Sequence, residues 1–183
     1  MKGVVFNMLE EFVVENAGEE VFEEILDTCE FINVEPFVGP GTYPDEDLNE
    51  LVSKTIAKLD IPLPDALRAF GKFAFPKLTE KVPDWLVNHA HPKDFLLTLE
   101  NIVHVEVRKL YKDADPPRFS FADPGPDELV INYQSGRRLY DFMDGLIEGV
   151  GDHFDTAIEY TREITAENGE EYCQYHLKFA AGA

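Results

Sequence analysis

His104 is the one histidine of this chain that lies within an apolar helical pattern rather than in a loop or at the edge of a strand. At 100° per residue, a helix predicted over residues 92–111 turns one apolar face inward, and His104 lies beside that face, in line with Leu97 and Tyr111. The plainest interpretation is a core histidine that hydrogen-bonds a backbone carbonyl. A neutral imidazole in apolar surroundings is also what an axial ligand of haem iron requires, so both interpretations stay open at this point.

Three polar side chains occupy alternate positions at the end of a predicted strand: Tyr133, Ser135 and Arg137. Alternate residues of a strand share one face, so two hydroxyl groups and one guanidinium group can converge there. In a chain with 16 basic and 36 acidic side chains, such an arginine is typical of an anion clamp, because bidentate pairing with carboxylates is strong. The alternative is a solvated strand end, with Gly136 serving a turn.

The composition excludes several classes of partner. The chain has 183 residues, the size of one domain or of two closely packed subdomains, and its hydrophobic content of 44% excludes global disorder. A formal net charge of −20 repels phosphate backbones and anionic lipid headgroups, which argues against nucleic acid and membrane surfaces as partners. Cys29 and Cys173 lie far apart and form no disulfide framework or covalent haem motif, which suits the reducing cytoplasm.

The first half of the chain predicts helices. Apolar residues recur at three-to-four spacing over residues 4–13 until Gly18, and a second, acidic helix is expected over residues 19–29. After a loop, Asp45 is expected to cap a helix that ends near residue 59. Pro62 and Pro64 separate this helix from the next, so a boundary is predicted between a helical subdomain, 1–63, and a second subdomain, 64–183.

The second half of the chain mixes helices with strands. After the helix of His104, residues 118–122 and 129–133 flank a turn and predict a hairpin, which a helix with apolar residues from Leu139 to Val150 follows. Residues 157–163 and 172–179 flank Asn168-Gly169, the strongest short-range hairpin signal of the chain. The pattern predicts an α+β fold with an antiparallel sheet.

These features together resemble the haem-nitric oxide/oxygen binding (H-NOX) domain, the bacterial relative of the haem domain of soluble guanylate cyclase. His104 is followed after twelve residues by Pro117, and after fifteen more by the motif of Tyr133, Ser135 and Arg137. The resemblance extends to residues 1–3, 69–71, 104–111 and 140–149, so it spans nearly the whole chain. It implies a single haem-binding domain in which a helical N-terminal subdomain packs on a C-terminal α/β subdomain, with haem between them.

The resemblance also implies a role for each site residue. His104 would be the axial ligand of a non-covalent haem b with ferrous iron, and Tyr133, Ser135 and Arg137 would bind the haem propionates. Pro117 would press on the porphyrin and bend it, although from the sequence alone the Pro116-Pro117 pair is only a rigid turn. The implied distal pocket consists of Val5, Leu9, Ala74, Leu78, Phe142 and Leu146.

The implied distal residues predict which gas is bound. Oxygen-binding H-NOX domains hydrogen-bond the gas through a tyrosine, supported by a tryptophan and an asparagine, and the corresponding positions here are Phe142, Leu9 and Ala74. Bound oxygen gains roughly 1.5–3 kcal/mol from such a donor, whereas nitric oxide binds tightly without one. A sensor of nitric oxide that also binds carbon monoxide and excludes oxygen is therefore expected. Tyr140 is expected to point outward, since helical geometry rotates it by about 160° from Phe142.

The sequence accordingly predicts a regulatory gas sensor rather than an enzyme. Nitric oxide would break the iron bond to His104, and the two subdomains would then move relative to each other. The output is expected on a separate partner, which the resemblance suggests is a histidine kinase or a cyclic-di-GMP enzyme. The alternatives are a peroxidase-like haem enzyme, for which the implied distal pocket lacks an acid–base group, and a haem-free module that binds another carboxylate through Arg137.

Overall fold

The computed structural model describes residues 1–80, 84, 88–110, 113–167 and 169–180, which form a helical half followed by a half of mixed helix and sheet. Four helices make the first part: α1, α2, α3 and α4, with bounds Gly3–Ala17, Glu19–Leu26, Asp45–Leu59 and Leu63–Thr79. Apolar side chains of these helices form one buried cluster, which includes Phe6, Leu9, Leu51, Phe70 and Ala74. The predicted N-terminal helices are therefore confirmed, with α2 ending three residues earlier than expected.

The second half begins with a helical run that has three parts. Helix α5 covers Pro92–Thr98, a π-helical segment covers Leu99–Val103, and helix α6 covers His104–Leu110. One continuous α-helix was expected over this region. The π-helical turn holds an extra residue and shifts the helical register directly before His104, which hydrophobic periodicity does not reveal. Tyr111, the expected last residue of the helix, lies outside the described residues.

A four-stranded antiparallel sheet forms the rest of this half. Its strands β1, β2, β3 and β4 have the bounds Arg118–Gly125, Glu128–Gln134, Ile158–Glu167 and Glu170–Phe179, and they lie in the order β1-β2-β4-β3. Both predicted hairpins are present, and β2 pairs with β4 so that Tyr133 lies opposite Cys173. Helix α7, Tyr140–His153, connects β2 to β3 and packs on the sheet. The α+β class and the antiparallel sheet are therefore confirmed.

Helices α4 and α7 pack against each other through two glycines. A Cβ atom on Gly71 of α4 would lie 2.1 Å from the carbonyl oxygen of Phe142, and one on Gly145 of α7 would lie 1.9 Å from that of Arg68. Only glycine permits this backbone approach. Helix α4 contributes Phe70 to the helical cluster and Phe75 to the cluster of the sheet, so it links the two halves. The division of the chain at 63/64 remains a prediction.

Within the described part of the chain, no helix combines the length and the apolar character that crossing a lipid bilayer requires.

Candidate functional site

A cavity of about 760 Å³ lies between the helical half and the half that contains the sheet. Helices α1, α3, α4 and α7, the run from α5 to α6, and the first two strands all contribute to its wall. Most of the wall is apolar, and its polar side chains include those of Tyr133, Ser135 and Arg137, at and just after the end of β2. The apolar part includes Val4, Val5, Phe70, Leu78, Leu99, Val103, Phe142 and Leu146.

His104 lies on the wall of this cavity, at the first position of α6. Its side chain is 12% exposed, and its ring stacks on Phe119 of β1 with 5.2 Å between the centroids. Burial lowers the pKa of His104, although the carboxylate of Glu100 and the carbonyl of Pro117 oppose this effect. The imidazole is therefore neutral near pH 7 and has a lone pair to offer a metal.

Glu100, in the π-helical segment, is not predicted as a site residue by any pattern in the sequence. Its Oε2 atom accepts a hydrogen bond from the backbone N–H of Phe119 at 2.9 Å and lies 3.6 Å from Nδ1 of His104. Its Oε1 atom lies 3.7 Å from a guanidinium nitrogen of Arg108. The π-helical register places this carboxylate between the helix and β1, a position that an ideal α-helix does not predict.

Tyr133, Ser135 and Arg137 all lie on the cavity wall, as the sequence predicted, but only Tyr133 belongs to β2, and Ser135 and Arg137 lie in the turn after it. Tyr133 is buried in the sheet, and burial raises its pKa, so its hydroxyl group stays protonated. The Oγ atom of Ser135 accepts a hydrogen bond from the backbone N–H of Arg137 at 3.2 Å, which fixes the turn after the strand. Two hydroxyl groups and one guanidinium group therefore meet at one end of the cavity.

The guanidinium group of Arg137 bonds two acidic residues of the chain. Its Nε atom donates to Oδ2 of Asp45 at 2.7 Å, and one terminal nitrogen donates to the backbone carbonyl of Asp115 at 2.8 Å. The other oxygen of Asp45 accepts from the N-terminal ammonium group of Met1 at 2.5 Å. The prediction that Asp45 caps α3 is wrong: Pro44 occupies the cap position, and the Asp45 carboxylate bonds these two distant cations instead.

Pro117 also lines the cavity, beside Pro116 and between α6 and β1. Its carbonyl group faces the ring of His104 closely enough to favour the protonated imidazole. A proline ring has a fixed backbone torsion, so this wall segment is stiff. Pro117 and His104 thus belong to the same side of the cavity.

The six residues expected around the bound gas separate into two groups. Val5, Leu78, Phe142 and Leu146 lie on the cavity wall, where the ring of Phe142 is 5.2 Å from that of Phe70. Leu9 and Ala74 do not: they are buried in the helical cluster behind the wall. Sequence position alone could not separate the wall from the layer behind it, since both are apolar and helical.

Tyr140 lies in the core and not on the outside of α7. It is 8% exposed, packs against Tyr133, and donates from its hydroxyl group to Oε1 of Glu171 at 2.6 Å. The expectation that it points outward is wrong, because α7 is buried on two faces, one against α4 and one against the sheet. Its phenol group belongs to the sheet side, so it is not part of the cavity wall.

Comparisons with known proteins show the family of the chain and relatives that share its fold. The Haem-NO-binding family model matches residues 2–162. Soluble guanylate cyclase gcy-32 of Caenorhabditis elegans is 24% identical over 190 residues, and the match covers 98% of this chain but only 28% of the cyclase. The unliganded Fe(II) H-NOX protein from K. algicida superposes with a TM-score of 0.89 at 27% identity, covering 100% of this chain and 98% of the other. The Fe(II)NO form of an H-NOX protein from S. oneidensis gives a TM-score of 0.89 at 26% identity, covering 99% and 100%.

Proposed function

Since this chain belongs to the Haem-NO-binding family, whose members are haem-based gas sensors, we propose that it binds nitric oxide and carbon monoxide at a ferrous haem b and excludes oxygen. The observation that carries the proposal is one cavity wall that holds a neutral imidazole at His104 together with the cation and hydroxyl groups at Arg137, Tyr133 and Ser135. The protein would be a regulator without catalytic turnover, acting in the cytoplasm on a separate partner.

The residues present fit a haem group. Haem is a flat apolar ring with two carboxylates on one edge, and the cavity wall is mostly apolar, with Arg137, Ser135 and Tyr133 among its polar groups. Neither the half-buried Cys29 nor the buried Cys173 is among the residues that form the cavity wall, which supports non-covalent binding. When bound, ferrous haem would supply an iron that can take a diatomic gas as a ligand.

His104 would hold the iron, and the groups at the end of β2 would orient the ring. Burial keeps the imidazole neutral, and the stacked ring of Phe119 limits its rotation. Arg137 would bind a propionate, with Ser135 and Tyr133 as hydroxyl donors. Pro117 is a stiff wall segment beside His104 and would press on the ring from that side.

The apolar residues on the wall support the exclusion of oxygen. Val5, Leu78, Phe142 and Leu146 have no hydrogen-bond donor in their side chains, and the ring of Phe142 packs against that of Phe70. A donor to bound oxygen contributes roughly 1.5–3 kcal/mol, which is one to two orders of magnitude in affinity. Nitric oxide and carbon monoxide depend much less on such a donor, so this wall favours them.

The contacts between the halves support signalling by a change of their arrangement. Helix α4 meets α7 through Gly71 and Gly145, and Arg137 of the cavity wall bonds Asp45 at the start of α3. A shift of α6 after the release of His104 would reach Asp45 through Asp115, which lies in the connection after α6 and accepts from Arg137. A histidine kinase or a cyclic-di-GMP enzyme would then distinguish the two arrangements.

Absorption spectra of the purified protein test the proposal. The reduced protein should show a Soret band that air leaves unchanged and that carbon monoxide shifts. With nitric oxide, the band should become that of a five-coordinate ferrous nitrosyl haem. The His104→Ala variant should lose the five-coordinate ferrous spectrum, whereas the control His153→Ala, which changes a histidine packed on Phe75 and Phe154, should keep it. A colourless protein, a spectrum that air shifts, or peroxidase turnover would overturn the proposal.

A further inference from the structure

The carboxylate of Glu100 links three parts of the structure at the candidate iron ligand. One oxygen, Oε2, accepts the backbone N–H of Phe119 at 2.9 Å and faces Nδ1 of His104 at 3.6 Å. The same Phe119 places its ring against the imidazole, at an angle of 26° between the two planes. Glu100 therefore fixes both the backbone behind the ring of His104 and the charge next to one of its nitrogens.

The Nδ1 atom of His104 is buried, and the described residues give it no hydrogen-bond partner in this conformation. A buried polar atom without a partner destabilises the fold, so a small rotation that closes the 3.6 Å gap to Glu100 is favourable. This geometry determines which ring nitrogen of His104 carries the proton. If Nδ1 carries the proton and faces the carboxylate, the lone pair of Nε2 is left for a metal.

We propose that Glu100 is the positioning residue of the axial histidine: its carboxylate takes the Nδ1–H hydrogen bond of His104 and so directs Nε2 toward the iron. This inference rests on the proposed function, because it assumes that His104 binds haem iron. A carboxylate acceptor makes an imidazole a stronger electron donor, so Glu100 also strengthens the bond that the sensor must break. Arg108, 3.7 Å from Oε1, holds the carboxylate from its other side.

The variant Glu100→Gln tests the effect of the negative charge of Glu100 separately from the effect of its size and shape. Glutamine has nearly the same size and keeps an oxygen that can accept the N–H of Phe119, but it removes the negative charge beside Nδ1. The matched control is Glu106→Gln, since Glu106 lies in α6, in the same helical run, and bonds Lys109 at 2.5 Å near the surface. Haem content, measured by the pyridine haemochrome assay, should stay at the wild-type level in both variants.

The iron–histidine stretching band of the ferrous protein, measured by resonance Raman spectroscopy, is the first readout. We expect Glu100→Gln to shift this band to lower wavenumber and to complete the change to a five-coordinate nitrosyl at lower nitric oxide concentration. Glu106→Gln should match the wild type in both measurements. An unchanged band in a Glu100→Gln protein that retains haem would overturn the positioning role and leave the proposed function intact.

A second readout does not depend on haem. In the apo form of the ¹⁵N-labelled wild-type protein, the nitrogen chemical shifts of His104 report which ring nitrogen is protonated. We expect the Nδ1–H tautomer in the wild type and a mixture of tautomers in Glu100→Gln. An Nε2–H tautomer in the wild type would overturn the inference even if the variant fails to fold. A wild-type protein that takes up no haem would instead refute the proposed function.

Discussion

Arg137, which follows β2, is bonded to Asp45 at the start of α3, with 2.7 Å between Nε and Oδ2. The two residues are 92 positions apart in sequence and come from different halves of the molecule. The N-terminal ammonium group of Met1 bonds the other oxygen of the same carboxylate. Asp45 thus joins the start of the chain, the helical half and the end of the candidate haem cavity.

The Asp45→Asn variant should be slightly less stable than the wild type at pH 7. Burial raises the pKa of Asp45, but the hydrogen bonds from the ammonium group and from Arg137 outweigh it and hold the pKa below 3.8. A carboxyl with a lowered pKa stabilises the fold above its ordinary value, and this contribution is lost as the pH falls through the lowered pKa. Because Asp45 is partly exposed, we expect a loss of about 0.5–1 kcal/mol, or about 1–4 °C in Tm.

Thermal unfolding followed by circular dichroism between pH 2 and pH 7 checks this prediction. The difference between the wild type and Asp45→Asn should shrink below about pH 4. Glu46→Gln is the control, since Glu46 is exposed in the same first turn of α3 and feels the same helix dipole. A difference that is constant across this range would rule out the ion pairs as its source.

The Asp144→Asn variant should be more stable than the wild type near pH 7, whereas Asp45→Asn should be less stable there. Asp144 of α7 is 11% exposed at the side chain and lies 3.1 Å from Arg162 of β3, and its Oδ1 atom has no hydrogen-bond partner among the described residues. Burial, opposed by Arg162, raises the pKa of Asp144 to about 6. The folded state then binds the proton more tightly than the unfolded state, so stability is lost as the pH rises from about 4 to about 6.

Asparagine has no proton to lose, so Asp144→Asn should remove this loss and be more stable than the wild type at pH 7 by about 1 kcal/mol. Chemical denaturation at pH 4 and at pH 7 measures the two differences. The control Asp141→Asn changes the other carboxylate that Arg162 contacts. If Asp144→Asn keeps the wild-type dependence on pH, Asp144 does not titrate in this range.

The fold could be predicted from the sequence because its signals are local. Apolar spacing along residues 4–13, the alternation around residues 118–134 and the Asn168-Gly169 turn each indicate one element. Asn168 itself lies outside the described residues, but β3 ends just before it and β4 begins just after Gly169. Tyr133, Ser135 and Arg137 also share one wall of the cavity, as predicted, although only Tyr133 belongs to β2 and the other two lie in the turn that follows it.

The parts that could not be predicted depend on long-range contacts. Glu100 reaches Phe119 only because a π-helical turn changes the register before His104. Asp45 bonds Arg137 and not its own helix, which no pattern within α3 indicates. Tyr140 is buried because α7 packs on α4 as well as on the sheet, so a helical wheel with one buried face gives the wrong side.

The Gly71→Ala variant should be less stable by about 2 kcal/mol, because the new methyl group would force α4 and α7 apart. The added Cβ atom would lie 2.1 Å from the carbonyl oxygen of Phe142 and 3.0 Å from the backbone nitrogen of Leu146, and neither can move without its helix. Differential scanning calorimetry should show a fall of about 4–8 °C in Tm. Gly39→Ala, with no atom within 4 Å of its Cβ position, should unfold as the wild type does.

The Phe142→Tyr variant should acquire measurable affinity for oxygen. Phe142 lies on the cavity wall against Phe70, so a phenol hydroxyl group there would be the donor that the wall of Val5, Leu78 and Leu146 lacks. A hydrogen bond to bound oxygen should raise affinity by about 10- to 100-fold, measured as a Soret shift of the ferrous protein under increasing oxygen pressure. Affinity for carbon monoxide should change much less, since bound carbon monoxide carries little negative charge.

Tyr140→Phe is the control, because the phenol of Tyr140 bonds Glu171 on the sheet side. A ferrous Phe142→Tyr spectrum that air leaves unchanged would mean that Phe142 does not face the bound gas.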